Sequence, residues 1–449
     1  MRTICKVAFT ELRTLFYSPV AWLLLVAFFI QCGLAYFDAV KLFADIQQRG
    51  GEELKYLGNL TYQVFSNPAA VSSVLPAVTK NLYLYLPLLT MGLLSREVSS
   101  GTIKLLYSSP VKASQVVLGK YLSMMILGAL FVVIAGFFML SGMLHIRHAD
   151  GGFLWPSLIG VYLLVCAYSA IGLFMSSLTT YQIVAAAGSF VIFGLLRYVG
   201  NIWQGYNLLG DIAYFLSVNG RTQNFFSGLI SSRDIIYFGV IICMFLGFTI
   251  CYITSQRTPA RAFTKAGKYV LTLLAGVVII YASSQPALSF YYDATRTKVN
   301  TLTPNAQKVM AGLKGAPLEI ISYNNVLASD AFYGHPQFVK RVMANWDRYV
   351  RFKPDIQLRM INYYDEPLDN PYNPFSKQYP SKTLQQVANQ VALTFGVYPS
   401  DFVSPEQLHK TIDLTPEMNR FVMLLRWKDK STFLRVYNDI ERWPSETEV

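Results

Sequence analysis

The sequence predicts an α-helical polytopic membrane protein of seven spans, followed by an α/β extracytoplasmic domain. Three observations predict this fold class. Apolar stretches long enough to cross a bilayer recur between residues 20 and 289. Charged residues make up only 14% of the chain, against roughly 25% in soluble domains. Residues 290–449 then alternate strand-like and helix-like patterns, which is typical of an α/β domain.

A helix that crosses a membrane needs about 20 mostly apolar residues. Seven stretches satisfy this requirement: residues 20–36, 74–94, 117–144, 154–176, 183–200, 235–254 and 269–289. The second stretch is the least apolar, because it contains Lys80, Pro76 and Pro87. An interfacial or re-entrant segment is the alternative there.

Basic residues near the span ends predict the orientation, since Lys and Arg are retained in the cytoplasm. They precede span one, lie between spans two and three, and lie between spans six and seven: Arg2, Lys6, Arg13, Arg96, Lys104, Lys112, Arg257, Arg261, Lys265 and Lys268. We therefore expect a cytoplasmic N-terminus in the cell inner membrane. Residues 256–268 form a basic cytoplasmic linker, residues 269–289 the seventh span, and residues 290–449 lie in the periplasm.

The first 18 residues are amphipathic, with Val7, Leu12 and Leu15 among charged side chains. This pattern indicates a helix lying in the membrane interface before span one. The alternative is that these residues are the cytoplasmic end of span one.

The segment between spans two and three has a distinct pattern. Gly101 can end a helix in the left-handed conformation, and Ser109-Pro110 suits the start of the next helix. A short apolar patch lies between them: Ile103, Leu105 and Leu106. An exposed apolar patch usually needs a partner; lipid headgroups or neighbouring loops are the alternative.

This segment resembles the first cytoplasmic loop of ABC-2 type permeases. The matching residues are Glu97, Gly101, Thr102, Leu105, Leu106, Pro110, Gly119 and Lys120. In that family the loop docks onto the nucleotide-binding subunit, so the resemblance implies that these residues couple to an ABC ATPase. Glu11, Ser18 and Pro19 resemble the family's interfacial helix running into span one. Residues 225–230 resemble its extracellular re-entrant stretch. The resemblance covers about residues 1–255 and implies a six-span permease domain there.

The seventh span and the residues after it resemble a second component. Asp293, Thr295 and the run Leu302-Thr303-Pro304 are similar to the start of the auxiliary component of gliding-motility-type ABC transporters. That component is a separate membrane-anchored protein in such systems. The resemblance implies that it is fused here behind the permease.

The pattern of residues 290–449 predicts strands at 318–323, 356–364, 421–427 and 431–437, and helices at 337–352 and 384–395. This order favours partly parallel pairing. Catalytic motifs such as Gly-x-Ser-x-Gly and His-Glu-x-x-His are missing from it, so we expect no enzymatic activity and no metal site. The five cysteines lie before residue 252 without CxxC spacing.

The 449 residues contain no phosphate-binding Gly-x4-Gly-Lys-Ser/Thr loop, which ATP hydrolysis of this type requires. We therefore expect no cofactor in this chain, with ATP bound by a partner ATPase subunit. The favoured function is the permease subunit of an ABC exporter. The alternative is a mechanical coupler that passes ATPase-driven motion to extracytoplasmic partners without transport. An ion-coupled transporter is disfavoured, because ionisable residues are scarce within the spans.

The expected partners are an ABC ATPase subunit, the lipid bilayer and a second permease copy, with no nucleic acid. One chain carries one loop of the coupling pattern, so a homodimer or permease pair supplies the two coupling surfaces. The densest run of small residues, at 185–188 in span five, permits close helix approach. It serves either that pairing or packing within one chain.

Overall fold

The computed structural model describes residues 2–50, 59–67, 73–103, 111–201, 217–257, 262–285, 288–334, 346–368, 375–395 and 398–435. The chain divides into two compact units. The membrane unit holds residues 1–197 and 218–300, and the C-terminal unit holds residues 198–217 and 301–449. The boundary at residue 300 lies a short way beyond the seventh predicted span.

The membrane unit is mainly helical. Its helices are α1 (Arg2–Tyr17), α2 (Pro19–Arg49), α3 (Leu60–Phe65), α4 (Val74–Thr90), α5 (Ser95–Ser99), α6 (Ala113–His145), α7 (Leu154–Leu178), α8 (Gln182–Tyr198), α9 (Val218–Phe226), α10 (Ser232–Arg257) and α11 (Ala262–Ser283). Ser18 separates α1 from α2, since its backbone is extended and Pro19 starts the new helix with its fixed φ. The predicted N-terminal helix is thus a separate element.

Five helices in the described part of the chain are long and apolar enough to cross a membrane. They cover Pro19–Arg49, Ala113–His145, Gly151–Leu178, Ser232–Gln256 and Ala266–Ser283. The other two predicted spans are α4 and α8, of 17 residues each. At a rise of about 1.5 Å per residue, they fall somewhat short of a hydrocarbon core about 30 Å thick. The protein is therefore a multi-pass membrane protein with five candidate spans, where the sequence predicted seven.

Helix α7 is the centre of the membrane unit and packs against α4, α6, α9 and α10. The short helix α8 also contacts it, because the rings of Tyr168 and Phe193 stack with their centroids 3.9 Å apart. Helix α11 packs against α10 and leaves most of its large apolar side chains exposed. In a membrane these side chains would face lipid.

A small sheet joins the start of α10 to the chain that follows α11. Strand β1 (Leu229–Ser231) runs directly into α10, and strand β2 (Tyr291–Asp293) follows α11. The two pair antiparallel, with Leu229 opposite Asp293 and Ser231 opposite Tyr291. The backbone thus ties together two helices that are already neighbours.

The C-terminal unit is built on a four-stranded sheet. Its strands are β3 (Leu318–Asn325), β4 (Ile356–Tyr363), β5 (Val422–Trp427) and β6 (Lys430–Arg435), in the order β4-β3-β5-β6. Strands β3 and β4 are parallel, and the other pairs are antiparallel. The helices are α12 (Pro304–Gly312), α13 (Asp347–Val350), α14 (Phe375–Gln378), α15 (Leu384–Phe395) and α16 (Pro405–His409).

Both faces of this sheet are covered by apolar side chains. The neighbours Ile320 and Ile321 point to opposite faces, as the period of a strand requires, and they belong to separate buried clusters. The predicted strands at 318–323 and 356–364 and the predicted helix at 384–395 are confirmed. The β5–β6 hairpin is also confirmed, with Lys428 in the left-handed region at its turn.

The predicted helix at 337–352 lies partly outside the described residues. Residues 346–352 are described, and within them α13 is a single helical turn.

Candidate coupling site

A buried lysine joins three helices at one end of the membrane unit. The Nζ atom of Lys120 in α6 lies 2.9 Å from Oε2 of Glu11 in α1 and 2.8 Å from Oε1 of Glu97 in α5. Arg96 Nη2 lies 3.7 Å from Glu11 Oε1. These four residues are called the coupling cluster below. The sequence predicted Glu11, Glu97 and Lys120 as separate site residues, and the structure brings all three together.

Lys120 and Glu11 are the most buried members of the coupling cluster. The side chain of Lys120 is 2% exposed, that of Glu11 is 11% exposed and that of Glu97 is 30% exposed. An ammonium group removed from water is stable only when opposite charges and hydrogen bonds replace the water. Two carboxylates face Lys120 and Arg96, so the charges balance. Each helix must keep its position for Lys120 to remain compensated.

Gly119 explains how α1 approaches α6 closely enough for this contact. A Cβ atom at Gly119 would lie 2.6 Å from Val7 Cγ1 and 3.1 Å from the Ile4 carbonyl oxygen. Val7 and Glu11 are four residues apart, so they lie on the same face of α1. The missing side chain at Gly119 therefore lets α1 lie against α6 and places Glu11 beside Lys120.

Helix α5 is held at both of its ends. The hydroxyl of Ser176, near the end of α7, accepts hydrogen bonds from the backbone N–H groups of Leu94 (2.9 Å) and Ser95 (3.0 Å). It donates to the Met91 carbonyl at 2.8 Å. After α5 the chain turns at Gly101, whose φ is 75°. The predicted left-handed helix end at Gly101 is confirmed.

The structure describes only some of the other predicted coupling residues. Thr102 is exposed, and its hydroxyl lies 2.9 Å from that of Ser100. Leu105, Leu106 and Pro110 lie outside the described residues. Ile103 is buried, so it packs within the chain instead of extending an exposed apolar patch.

The helix expected to start at Ser109-Pro110 begins at Ala113. The N–H of Lys112 donates to Oε1 of Gln115 at 3.2 Å, which satisfies one of the free amides at the helix start. The predicted cap itself lies outside the described residues.

Ser18 and Pro19 mark the corner between α1 and α2. Ser18 caps α2 without a side-chain hydrogen bond. The indole N–H of Trp22 donates to the Phe16 carbonyl at 2.9 Å and ties the two helices together. The corner therefore fixes the direction in which α1 leaves the bundle.

Two features of this region and its surroundings were not predicted. Ser176 has no sequence signal, because a serine near a span end is common. Asp234 at the start of α10 is fully buried and accepts from Arg221 (2.9 Å) and Asn224 (2.8 Å). Nine acidic residues fall in residues 1–268, and an Asp beside an apolar run is a signal that could have identified this network.

The C-terminal unit contains a largely apolar cavity of about 430 Å³ between α12 and the sheet. Met310, Trp346, Leu434 and Trp427 are among its lining residues. None of the predicted site residues lines it. Within the described ranges no cluster of three or more His, Cys, Asp or Glu side chains could hold a metal ion. The coupling cluster is therefore the better candidate site, and it consists of ion pairs that join three helices.

The membrane unit is similar to a known protein family. A family model described as "ABC-2 family transporter protein" matches residues 5–290, which is more than half of the chain. The match includes α1, α5, α6 and also α11, so the seventh predicted span falls within it. No curated protein matches the chain.

Proposed function

Because this chain belongs to the ABC-2 transporter family, we propose that it is the permease subunit of an ABC exporter driven by ATP hydrolysis in a separate subunit. The coupling cluster carries the proposal. It connects α5, which reaches the surface, to α1 and α6 through a buried lysine. A passive membrane anchor would not need a compensated charge at this place.

The exposed side of α5 is the proposed contact for the ATPase. Arg96, Ser99, Ser100 and Thr102 are exposed there, while Ser95 and Ile103 are buried. A push on this side displaces Glu97, and Lys120 passes the displacement to α6 and, through Glu11, to α1. The short ionic contacts resist separation because each charge would lose its partner.

The contact is tested by a variant that changes the exposed side of α5 alone. Ser99→Arg with Thr102→Arg should abolish co-purification of the ATPase subunit, since two added charges and long side chains block the contact. Leu105→Asp should act in the same direction. Thr10→Arg, at an exposed position on α1, is the matched control. Unchanged co-purification in the double variant would refute the proposed contact.

We propose seven spans, with α4 and α8 completing the bundle as short spans, and a cytoplasmic N-terminus. The clusters of basic residues at 2–13 and 257–268 support this orientation. The C-terminal unit then lies in the periplasm.

A single introduced cysteine tests the orientation. Ser431→Cys places a thiol at an exposed position of the C-terminal unit. A membrane-impermeant maleimide should label it in spheroplasts, with the parent chain as the control for the five native cysteines. Labelling that requires disruption of the inner membrane would reverse the proposed orientation.

A mechanical coupler without transport is the second candidate function. The pairing of β1 with β2 favours it, because this pairing connects the permease helices to the chain entering the C-terminal unit. The resemblance of residues 293–304 to a gliding-motility-type auxiliary component supports the same idea. Reconstitution with the ATPase subunit distinguishes the two: ATP-dependent loss of a substrate from the donor side supports export, and ATP turnover without it supports the coupler.

A further inference from the structure

The chain after α11 folds back onto the membrane unit before it enters the C-terminal unit. Residues 290–300, called the strap below, contain β2. The pairing with β1 extends at both ends: Ser232 N donates to the Phe290 carbonyl, and Ala294 N donates to the Gly228 carbonyl, both at 2.9 Å. The strap is therefore bonded to the residues immediately before α10 and at its start.

One carboxylate organises the second half of the strap. Asp293 accepts from Thr295 N (3.0 Å), Thr295 Oγ1 (2.7 Å) and Asn300 N (2.8 Å). The Asn300 amide group in turn donates to the Ser227 carbonyl at 2.6 Å. Asp293 and Thr295 are both buried. The last residue of the membrane unit is thus fixed to the turn before β1.

A second carboxylate holds the strap from the connection between α6 and α7. Asp150 Oδ2 accepts from Arg296 N at 3.0 Å, while Oδ1 accepts from Gly152 N at 2.9 Å. The Asp150 N–H donates to Thr61 Oγ1 at 3.0 Å. Asp150 is buried, so this anchor is shielded from water. Beyond the β1–β2 pairing, the strap consequently has two attachments after β2, at Arg296 and at Asn300.

Two glycines allow the strap to approach at backbone distance. A Cβ atom at Gly152 would lie 2.1 Å from the Ala294 carbonyl oxygen, and one at Gly228 would lie 2.5 Å from Thr295 Cγ2. Gly228 also has a φ of 83°, which favours glycine. The close fit indicates a built contact and not a loose linker.

We propose that the strap is a clasp that makes the start of α10 and the entry to the C-terminal unit move as one piece, with Asp293 and Asp150 as its positioning residues. The proposal rests on the proposed function, in which ATP hydrolysis moves the helices. Residue 301 follows the clasped Asn300 directly in the chain. The strap therefore follows the start of α10 when that helix moves.

Opening the clasp tests the proposal. Asp293→Asn replaces an acceptor oxygen by an amide that faces N–H donors, so the second half of the strap should loosen. In the complex with the ATPase subunit, the backbone amides of residues 291–300 of the parent chain should stay protected from hydrogen exchange with and without ATP and vanadate. In Asp293→Asn their exchange should become about tenfold faster, as expected when a local structure opens, while ATP turnover continues. Asp401→Asn, at an exposed aspartate of the C-terminal unit, is the control.

A disulfide provides the rescue that separates a clasp from a local packing defect. Ser231 and Tyr291 are opposite each other and alternate with hydrogen-bonded pairs, the arrangement in which side chains lie closest. In the Asp293→Asn background, oxidised Ser231→Cys/Tyr291→Cys should restore the protection of residues 291–300, and a reductant should remove it again. The parent chain, which keeps its five cysteines, controls for other thiols.

The outcomes distinguish the two proposals. A parent chain that binds no ATPase subunit defeats the proposed function. The clasp is then decided in the protein alone, where the disulfide must restore the protection of residues 291–300 that Asp293→Asn removes. Protection of residues 291–300 that survives Asp293→Asn, a disulfide that restores nothing, or a disulfide that stops ATP turnover in the parent chain would each overturn the clasp.

Discussion

At the residue scale, the coupling cluster shows how one buried charge can organise three helices. Lys120 and Glu11 are far apart in sequence, and no periodic pattern links them. The resemblance to ABC-2 permeases singled out Glu11, Glu97 and Lys120, but their mutual contact follows from helix packing. Arg96 was not among the predicted coupling residues, although it sits beside Glu97 and balances the second carboxylate.

Removal of the lysine should destabilise the membrane unit. Lys120→Met leaves Glu11 and Glu97 partly buried without their cation, and breaking a buried pair in this way costs about 3–5 kcal/mol. The thermal unfolding midpoint of the detergent-solubilised protein should fall clearly below that of Lys6→Met, a change at an exposed lysine on α1. Equal midpoints for the two variants would mean that the buried lysine is not a structural junction.

A methyl group at position 119 should push α1 away from α6. Gly119→Ala places its Cβ against Val7, and such overpacking typically costs about 1–3 kcal/mol. Adding Val7→Ala should recover part of the lost stability, because it removes Val7 Cγ1 at 2.6 Å while the Cβ atom at 2.7 Å stays. Gly239→Ala is the matched control, since no atom lies within 4 Å of its Cβ. Thermal unfolding compares the four proteins, and a double variant no better than Gly119→Ala would contradict the packing argument.

At the scale of single elements, the position of α5 depends on hydrogen bonds at its start and on the turn that follows it. The Ser176 hydroxyl holds its start, and the left-handed Gly101 redirects the chain after it. Sequence chemistry alone identified Gly101, because glycine readily adopts a positive φ after a helix. It could not identify Ser176, whose role depends on how close α7 lies to α5.

Gly101→Ala tests the importance of this turn. Open space surrounds the position, so the cost is one of backbone strain alone, about 1–2 kcal/mol for a residue in the left-handed region. The ATPase subunit should then bind about tenfold more weakly, as 1.4 kcal/mol implies. Gly101→Asn should bind better than Gly101→Ala, since Asn tolerates this conformation. Equal binding by all three proteins, measured by titration of the ATPase subunit, would show that the turn is dispensable.

The elements that the sequence predicted well are those with a strong local pattern. The β3 strand and the α15 helix agree because a single period of apolar residues determines each. The short spans α4 and α8 were predicted at greater length, since apolar residues continue beyond the helix ends. The β1–β2 pairing was missed because both strands have three residues, too few for a detectable alternation, and their register depends on contacts distant in sequence.

At the scale of the whole molecule, the family match covers most of the membrane unit, and the C-terminal unit follows it. Residues 5–290 match the ABC-2 family, so α11 lies within the matched region. The strap follows at once and ends where the C-terminal unit begins. A single chain therefore contains a candidate coupling site, a bundle and a clasped exit to a second unit.

The last prediction concerns the number of chains in the working assembly. ATP is sandwiched between two ATPase subunits in transporters of this type, and each subunit needs a coupling surface. The sequence supplies one coupling loop per chain, so two chains are expected, most simply as a two-fold dimer.

The small-residue run at 185–188 in α8 is only partly available for this pairing. Ala185 and Ala186 are buried within the chain, and a Cβ at Gly188 would lie 2.3 Å from Met175 Cε. The run therefore packs mainly against its own bundle, and the contact between chains must use other exposed apolar surfaces.

Mass measurement of the detergent-solubilised complex should give two copies of this chain with two ATPase subunits. A stable, ATPase-active assembly with one copy and no other permease would refute the prediction, because the second ATPase subunit would then have no coupling surface.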